Sequence, residues 1–430
     1  MKTPPQVARS SIDDQTDFGG RTAMRGMEYG EKWFVSWHNF AALDKKGEPR
    51  KRLRIHDVTL RDGEQQAGVV FTRQEKIEIA QALDALGVDR IEAGMVAVSD
   101  EDRDTIRELV DMKLSSEIWT IARSTPEDVE KAVETGADGV GIIILANEQY
   151  CKVFRWSVDD AIAKALRAAE TAKRGRLKTT LLIADSSRMD LAVLEQIVKA
   201  ASSGPYDAVA LMDTFGALSP EGARHLVSTV RSLTALEVEL HPHNDFGLGA
   251  ANALAGIDAG ADIVHTSALG LGERLGNAPL EEVALAGALL YGLEHTLDLS
   301  RIHPLAQLVQ RCSRVSAAPN KPVVGRSYSQ IESGTVSTEY TRLLGDAEPM
   351  QWLFPFCPEL IGGHAVELVV GKGSGLANID FMLDAMRLEM DGAAKRDLLL
   401  RAKAAAIAQH RVLNPDEFAR LAASCGARPS

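Results

Sequence analysis

Between residues 51 and 292 one pattern recurs eight times: a short run rich in Val, Ile or Leu is followed by an amphipathic stretch. The runs lack a strict alternation of polar and apolar residues, which is typical of strands buried on both faces. Eight such β/α units favour an α/β fold with a closed (β/α)8 TIM barrel, although periodicity alone leaves an open sheet possible. The predicted strands are 53–58, 88–93, 117–122, 139–145, 178–184, 208–212, 237–242 and 263–268.

The chain outside these units has a different character. Residues 1–50 are predicted to be an N-terminal extension, in which the aromatic segment 31–40 packs against another part of the protein. The barrel domain is expected over 51–310. Residues 311–375 mix Pro, Gly and aromatic residues and are interpreted as a linker or lid, and 376–430 as a small helical subdomain.

Charge and composition exclude several classes of function. The net charge is −12, from 48 basic and 60 acidic residues, which argues against binding to a nucleic-acid backbone. No apolar run reaches the roughly 18 residues that a membrane span needs. The four cysteines are far apart and form no C-x-x-C pair, as expected in a reduced compartment. We therefore expect a cytoplasmic protein without nucleic-acid or membrane partners.

Polar residues collect where the predicted strands end, which is where barrel enzymes carry their active sites. His241 and His243 lie two residues apart on the seventh strand, so both imidazoles face the same side. Asp62, after the first strand, can supply a carboxylate to the same ion. Such a set of N and O ligands suits Mg, Mn or Zn, and the sequence does not choose among them. The alternative is a pair of hydrogen-bonded histidines without a metal.

Arg61 stands next to the predicted ligand Asp62. A fixed positive charge there would stabilise a developing enolate or alkoxide oxygen, whereas the alternative is an ordinary ion pair. Other polar residues at the ends of predicted strands complete the candidate site: Gln65, Glu92, Arg123, Asp185, Thr214 and Asn277.

Three ordered motifs connect these residues to a known family. They are DVTLRDGEQ at 57–65, HPHNDFG at 241–247 and GLGERLGN at 270–277. Together they resemble the signatures of the DRE-TIM metallolyase superfamily, and most of all those of the α-isopropylmalate, homocitrate and citramalate synthases. The resemblance runs from about residue 51 to 292 and continues more faintly to 375.

The resemblance implies an activity and a role for each residue. These synthases bind an α-keto acid on a divalent metal, deprotonate acetyl-CoA, add the enolate to the ketone and hydrolyse the thioester; relatives pack as homodimers. Carried over, Asp62, His241 and His243 are metal ligands, with Asn277 as a nearby oxygen donor. Arg61 stabilises the enolate oxygen and Thr214 holds the keto-acid carboxylate. The walls of the substrate pocket are assigned to Gln65, Glu92, Arg123 and Asp185.

Departures from the family pattern lie mainly after the barrel. The family's catalytic His is replaced by Val336, and the tyrosine expected before Pro358 is missing. The candidate proton-transfer groups are therefore Glu332, His364 or Asp185. We also expect no feedback control through a leucine-binding regulatory domain of the kind that the isopropylmalate synthases carry.

Two other classes of function remain open at this stage. A metal-dependent carbon–carbon lyase or aldolase, similar to hydroxymethylglutaryl-CoA lyase, would use the same barrel. However, that lyase carries a cysteine in the glycine loop after strand eight, and residues 269–277 contain none. A binding protein without activity is the third class, and the retained set of metal-binding residues argues against it.

Overall fold

The computed structural model describes residues 27–29, 32–44, 51–346 and 350–430. Two compact units are present. One comprises Lys46–Ala317 and Pro322–Val324, and the other comprises Met1–Lys45, Ala318–Lys321 and Gly325–Ser430. Most of the predicted extension 1–50 lies outside the described residues. No helix in the described part of the chain is both long and apolar enough to span a bilayer.

The first unit is a closed barrel of eight parallel strands, which confirms the predicted fold class. The barrel closes because the last strand pairs with the first, with His265 opposite His56. The strands lie within a few residues of their predicted positions. They are β1 (Ile55–Asp57), β2 (Arg90–Met95), β3 (Glu117–Arg123), β4 (Gly139–Ile144), β5 (Lys178–Ile183), β6 (Ala208–Asp213), β7 (Glu237–Pro242) and β8 (Ile263–Thr266).

Helices surround the barrel, and local sequence signals define several of their ends. Thr72 and Glu75 form a reciprocal capping box at the start of Arg73–Leu86, and Gly87 ends that helix with φ 93°. The helices of this unit are Arg73–Leu86, Asp100–Asp111, Pro126–Thr135, Glu148–Phe154, Val158–Arg174, Leu191–Ser203, Pro220–Arg231, Gly249–Ala259, Leu280–Leu289 and Ile302–Ser313.

The interior of the barrel is unusually polar near its axis. Branched aliphatic residues usually fill such a core. Here Arg90, Glu239 and His265 are each no more than 5% exposed. The Arg90 guanidinium lies 4.1 Å from the centre of the Trp119 ring, and its Nη1 donates to Glu239 Oε1 at 2.6 Å. The buried charges are therefore paired with each other, as burial requires.

The second unit combines short strands with a helical core. Phe34–Ser36 pairs with Met27–Tyr29, and the neighbouring Lys32 carbonyl accepts a hydrogen bond from the Cys357 N–H at 2.7 Å. The aromatic segment thus packs against residues of this same unit. Buried Ile379, Leu398 and Phe418 join three helices into one cluster. The helices of this unit are His38–Asp44, Gly334–Gly345, Leu376–Ala385, Gly392–Gln409 and Pro415–Ser424.

Candidate metal centre and active site

Asp62, His241 and His243 converge at the C-terminal mouth of the barrel. The Nε2 atoms of the two histidines are 3.2 Å apart, and Asp62 Oδ2 lies 3.3 Å from the first and 3.6 Å from the second. All three residues are buried. Two ligand atoms that bind one ion at about 2.1 Å can be no more than about 4.2 Å apart. The spacing therefore fits one shared ion.

The backbone explains why these side chains meet. Directly after β1 the N–H groups of Asp62 and Gly63 both donate to the Val58 carbonyl, so the chain turns tightly and places Asp62 over the barrel mouth. His241 lies on β7 and His243 directly follows it, two residues further along the same side. Strand β8 pairs with both β1 and β7, which brings the two strand ends together.

Asn277 reaches the same place through the glycine-rich loop after β8. Gly276 has φ 86°, and a Cβ atom there would stand 1.8 Å from the Gly270 carbonyl oxygen, so only glycine fits. The Asn277 amide nitrogen donates to the Leu271 carbonyl at 3.0 Å. Among the described residues, no group donates a hydrogen bond to Asn277 Oδ1 or to Asp62 Oδ2, although both atoms are buried. Two buried oxygens without hydrogen-bond donors fit a bound cation.

The ionisation of these groups also suits a metal. Burial and, after it, the neighbouring His241 lower the pKa of His243 to about 4. Burial likewise lowers the pKa of His241, although Asp62 opposes this shift. Both rings are therefore neutral at neutral pH and keep a lone pair for a metal. Burial would raise the pKa of Asp62, but the adjacent Arg61 and the two histidines hold it well below its usual range.

Arg61 is fixed beside the metal-binding residues. Its Nε contacts Glu92 Oε1, its Nη1 lies 3.4 Å from Asp62 Oδ1, and the same Nη1 donates to Gln65 Oε1 at 3.3 Å. Burial would raise the pKa of Glu92, but Arg61, His56 and His265 together outweigh it and lower the pKa to about 2. Arg61, Gln65 and Glu92 are therefore brought together with the predicted ligands, with the Arg61–Glu92 pair fully charged.

A second polar group lies at the mouths of β5 and β6. The Asp185 N–H donates to Thr214 Oγ1 at 2.7 Å. The Asp185 carboxylate accepts two hydrogen bonds from Arg188 and one from Asn147. Asn147 and Arg188 also line an adjoining cavity of about 640 Å³. Asp185 and Thr214, predicted separately, thus form one cluster next to a space that a ligand could occupy.

The contacts of three other predicted site residues involve neither of these two groups. The Arg123 side chain is 61% exposed and forms a two-point pair with Asp128, at 2.5 and 3.0 Å. Glu332 and His364 belong to the second unit. There Glu332 Oε1 accepts a hydrogen bond from the Gly373 N–H at 2.7 Å, while the His364 side chain is exposed and its N–H donates to Tyr328 Oη.

Sequence reasoning missed a buried layer beneath the metal-binding residues. Glu239 and His265 lie with His56 in a second group whose ligand atoms are all within 4.8 Å of one another. One signal was available in the sequence. Glu237, Glu239 and His241 occupy every second position of β7, so their side chains share the inner side of a strand that was predicted to be buried.

Comparison with known proteins gives consistent results. A family model described as HMGL-like matches residues 52–309. The (R)-citramalate synthase of Methanocaldococcus jannaschii is 33% identical and aligns with 82% of this chain and 70% of its own length. The homocitrate synthase of Methanothermobacter thermautotrophicus is 34% identical over 84% of this chain and 90% of its own length.

A solved structure, the HMG-CoA lyase from Brucella melitensis, shares the fold with a TM-score of 0.55 and 19% identity. It covers 62% of this chain and all (100%) of that chain. At this level of identity the likeness concerns the fold alone.

Asp57, at the end of β1, gives a testable pH dependence. The residue is fully buried, and burial raises its pKa to about 7. A raised pKa stabilises the fold at low pH, and this contribution is lost as the pH rises from about 4 toward 7. Between pH 5 and pH 8, we expect the free energy of unfolding of the wild type to fall by on the order of 2–3 kcal/mol relative to that of Asp57→Asn. Urea unfolding at both pH values measures this, and an equal difference at both would contradict it.

Proposed function

This chain belongs to the HMGL-like family, and from that premise we propose that it catalyses a divalent-metal-dependent Claisen-type condensation. The relatives show that the chain is an enzyme of the 2-alkylmalate synthase family. The proposed substrates are acetyl-CoA, or a similar short acyl-CoA, and an α-keto acid; the products are a 2-hydroxy acid and CoA. The observation that carries the proposal is the convergence of Asp62, His241 and His243 beside Arg61.

We assign the metal to the mouth of the barrel. Asp62, His241 and His243 would hold it, with Asn277 as a nearby oxygen donor, and Mg, Mn or Zn suits these ligands. When bound, such an ion supplies a Lewis acid that polarises a keto-acid carbonyl. The protein contributes a buried and preorganised set of ligands, since the carboxylate and both imidazoles already hold the required ionisation states.

Arg61 is proposed to stabilise the enolate oxygen of the acyl donor. A guanidinium acts best when it does not reorganise during the reaction. Glu92 and Gln65 support this role because they fix the orientation of Arg61 from two directions. Glu92 is therefore proposed as a positioning residue as well as a part of the pocket wall.

The keto-acid carboxylate is proposed to bind at Thr214. Its Oγ1 already accepts the Asp185 N–H, so its own hydrogen is available for a carboxylate oxygen. Asp185 and Gln65 complete the wall of the pocket. Arg123 is assigned a different role: its pair with Asp128 fastens the first turn of the helix Pro126–Thr135.

Proton transfer is assigned to His364, with Glu332 as the alternative. The base takes a proton from the acyl methyl group, a carbon–carbon bond forms to the keto carbon, and the keto oxygen takes up a proton. Water then hydrolyses the thioester and releases CoA. His364 is favoured because its side chain is exposed and because histidine is the side chain that most often acts as a general acid or base.

We also propose a homodimer, as the family resemblance implies, and a cytoplasmic location. All four cysteines are free thiols, which suits a reducing compartment.

Turnover with a panel of substrates tests the function. We expect release of CoA thiol from acetyl-CoA with at least one of pyruvate, 2-oxoisovalerate, 2-oxoglutarate, oxaloacetate or glyoxylate, in the presence of Mg²⁺ or Mn²⁺. A thiol-reactive dye measures the release, and reactions without keto acid give the background hydrolysis. Cleavage of a hydroxyacyl-CoA without any condensation would favour the lyase instead.

His243→Ala tests the metal assignment. Loss of one of three ligands should remove bound metal and reduce turnover at least 100-fold, while the far-UV CD spectrum remains unchanged. Metal content after dialysis is measured by elemental analysis. His225→Ala is the matched control, because His225 is an exposed residue of the helix Pro220–Arg231 and should keep full metal content. Full activity of His243→Ala would refute the assignment.

The proton-transfer assignment is tested by two amide variants. We expect His364→Gln to lower kcat by about 100-fold or more with little change in the KM for the acyl-CoA. Glu332→Gln keeps the acceptor oxygen for Gly373 and should retain most of its kcat. The reverse result would transfer the role to Glu332, and full activity in both variants would exclude both residues.

A further inference from the structure

A continuous chain of buried hydrogen bonds lies beneath the proposed metal site. His241 Nδ1 is 3.2 Å from His265 Nδ1, and His265 Nε2 is 2.9 Å from Glu239 Oε2. Glu239 Oε1 accepts hydrogen bonds from Arg90 Nη1 at 2.6 Å and from Thr180 Oγ1 at 3.1 Å. His241 is one of the proposed metal ligands, whereas the other four residues take no part in the proposed mechanism.

With both imidazole rings neutral, the donors and acceptors of these hydrogen bonds can be assigned in only one consistent way. Glu239 is the carboxylate partner of the Arg90 guanidinium in a buried ion pair, so both of its oxygens act as acceptors. His265 must then carry its hydrogen on Nε2 and donate it to Glu239, which leaves His265 Nδ1 as an acceptor. His241 donates from Nδ1 to that acceptor. The Nε2 atom of His241, which faces Asp62 and His243, is left with its lone pair.

Glu239 and His265, together with the neighbouring His56, are a poor second metal site. The rings of His56 and His265 are stacked, with centroids 4.3 Å apart and an interplanar angle of 16°. Imidazole binds a metal in the plane of the ring, and two nearly parallel stacked rings cannot both direct in-plane lone pairs at one ion. The Arg90 guanidinium on Glu239 also opposes a cation there.

We propose that Glu239 and His265 are positioning residues that fix the tautomer and the ring orientation of His241. This inference rests on the proposed metal site. Metal-binding histidines usually donate their second ring nitrogen to a carboxylate or carbonyl. Here His265 lies between the ligand His241 and the Glu239 carboxylate. Because His265 donates from Nε2 to Glu239, its Nδ1 can only accept a hydrogen bond from His241 Nδ1. Glu239 thus determines which nitrogen of His241 carries the hydrogen.

These hydrogen bonds make Glu239→Gln an informative variant. Arg90 and Thr180 donate to Oε1, so the glutamine keeps its oxygen on that side and turns its NH₂ group toward His265. His265 would then accept at Nε2 and carry its hydrogen on Nδ1, facing the Nδ1–H of His241. One of the two rings must rotate or change tautomer, and a change in His241 places a hydrogen on the nitrogen that should bind metal.

A second pair of variants avoids disturbing the buried Arg90–Glu239 ion pair. His265→Leu removes both the acceptor for His241 and the donor to Glu239. His265→Gln offers a neutral side chain that can accept at one end and donate from the other, so it should partly restore metal binding. Thr180→Val is the control, because it removes one donor to Glu239 without reversing any hydrogen bond.

The experiment titrates the purified full-length protein with Mn²⁺ and follows free Mn²⁺ by EPR; Co²⁺ absorption spectra report the geometry of the ligands. We expect Glu239→Gln and His265→Leu to weaken Mn²⁺ binding about 10- to 100-fold and to shift the Co²⁺ bands. His265→Gln should lose less, and Thr180→Val should bind as wild type does. Far-UV CD and Tm identify any variant that has not folded.

The outcomes separate this inference from the proposed function. If the wild-type protein binds no Mn²⁺ or Co²⁺, the metal site itself is wrong. If wild type binds one ion and folded His265→Leu binds it equally well with the same Co²⁺ spectrum, the positioning role is refuted. Two ions per wild-type chain, with one lost in His265→Leu, would instead make the lower cluster a metal site and overturn the inference.

Discussion

The candidate site depends on the pairing that closes the barrel. Strand β8 lies between β1 and β7, and the pairs Val264–Ile55 and Val264–Leu240 hold both neighbours to it. Asp62 follows the first strand of the barrel and His241 lies on the seventh, so they are far apart along the chain and meet only because the sheet is closed. An open sheet would place the first and last strands at opposite edges, where no ion could be shared.

Burial of so many charges imposes a second constraint, because each unpaired charge in a barrel core would cost several kcal/mol. The structure meets it with two buried ion pairs, Arg61 with Glu92 and Arg90 with Glu239. Packing supports the lower pair. Trp119 covers Arg90, and Gly139 makes room for that ring, since a Cβ at position 139 would lie 2.4 Å from the indole. The glycine thus contributes to the site although it is distant from the chemistry.

The two units relate differently to the synthases that the sequence resembles. The barrel retains the residues that would bind a metal and stabilise an enolate. In the second unit, Val336 stands where the resemblance implies a catalytic histidine, and it packs against the apolar cluster of Ile331, Tyr340 and Leu368. Valine has no titratable group, so the proposed acid–base chemistry would need a different side chain. This difference is why we propose a replacement, and His364 is our first choice.

The sequence by itself determined the eight β/α units, which favoured a barrel, and the shared side of His241 and His243, because the periodicity of the units and the two-residue spacing are local properties of the chain. It could not determine which side chains contact each other between strands. Arg123 ends a strand as predicted, yet it pairs with Asp128 at the surface, and Glu239 and His265 meet beneath the site. Only the tertiary structure decided these contacts, because they depend on strand register and on the direction of each side chain around a closed barrel.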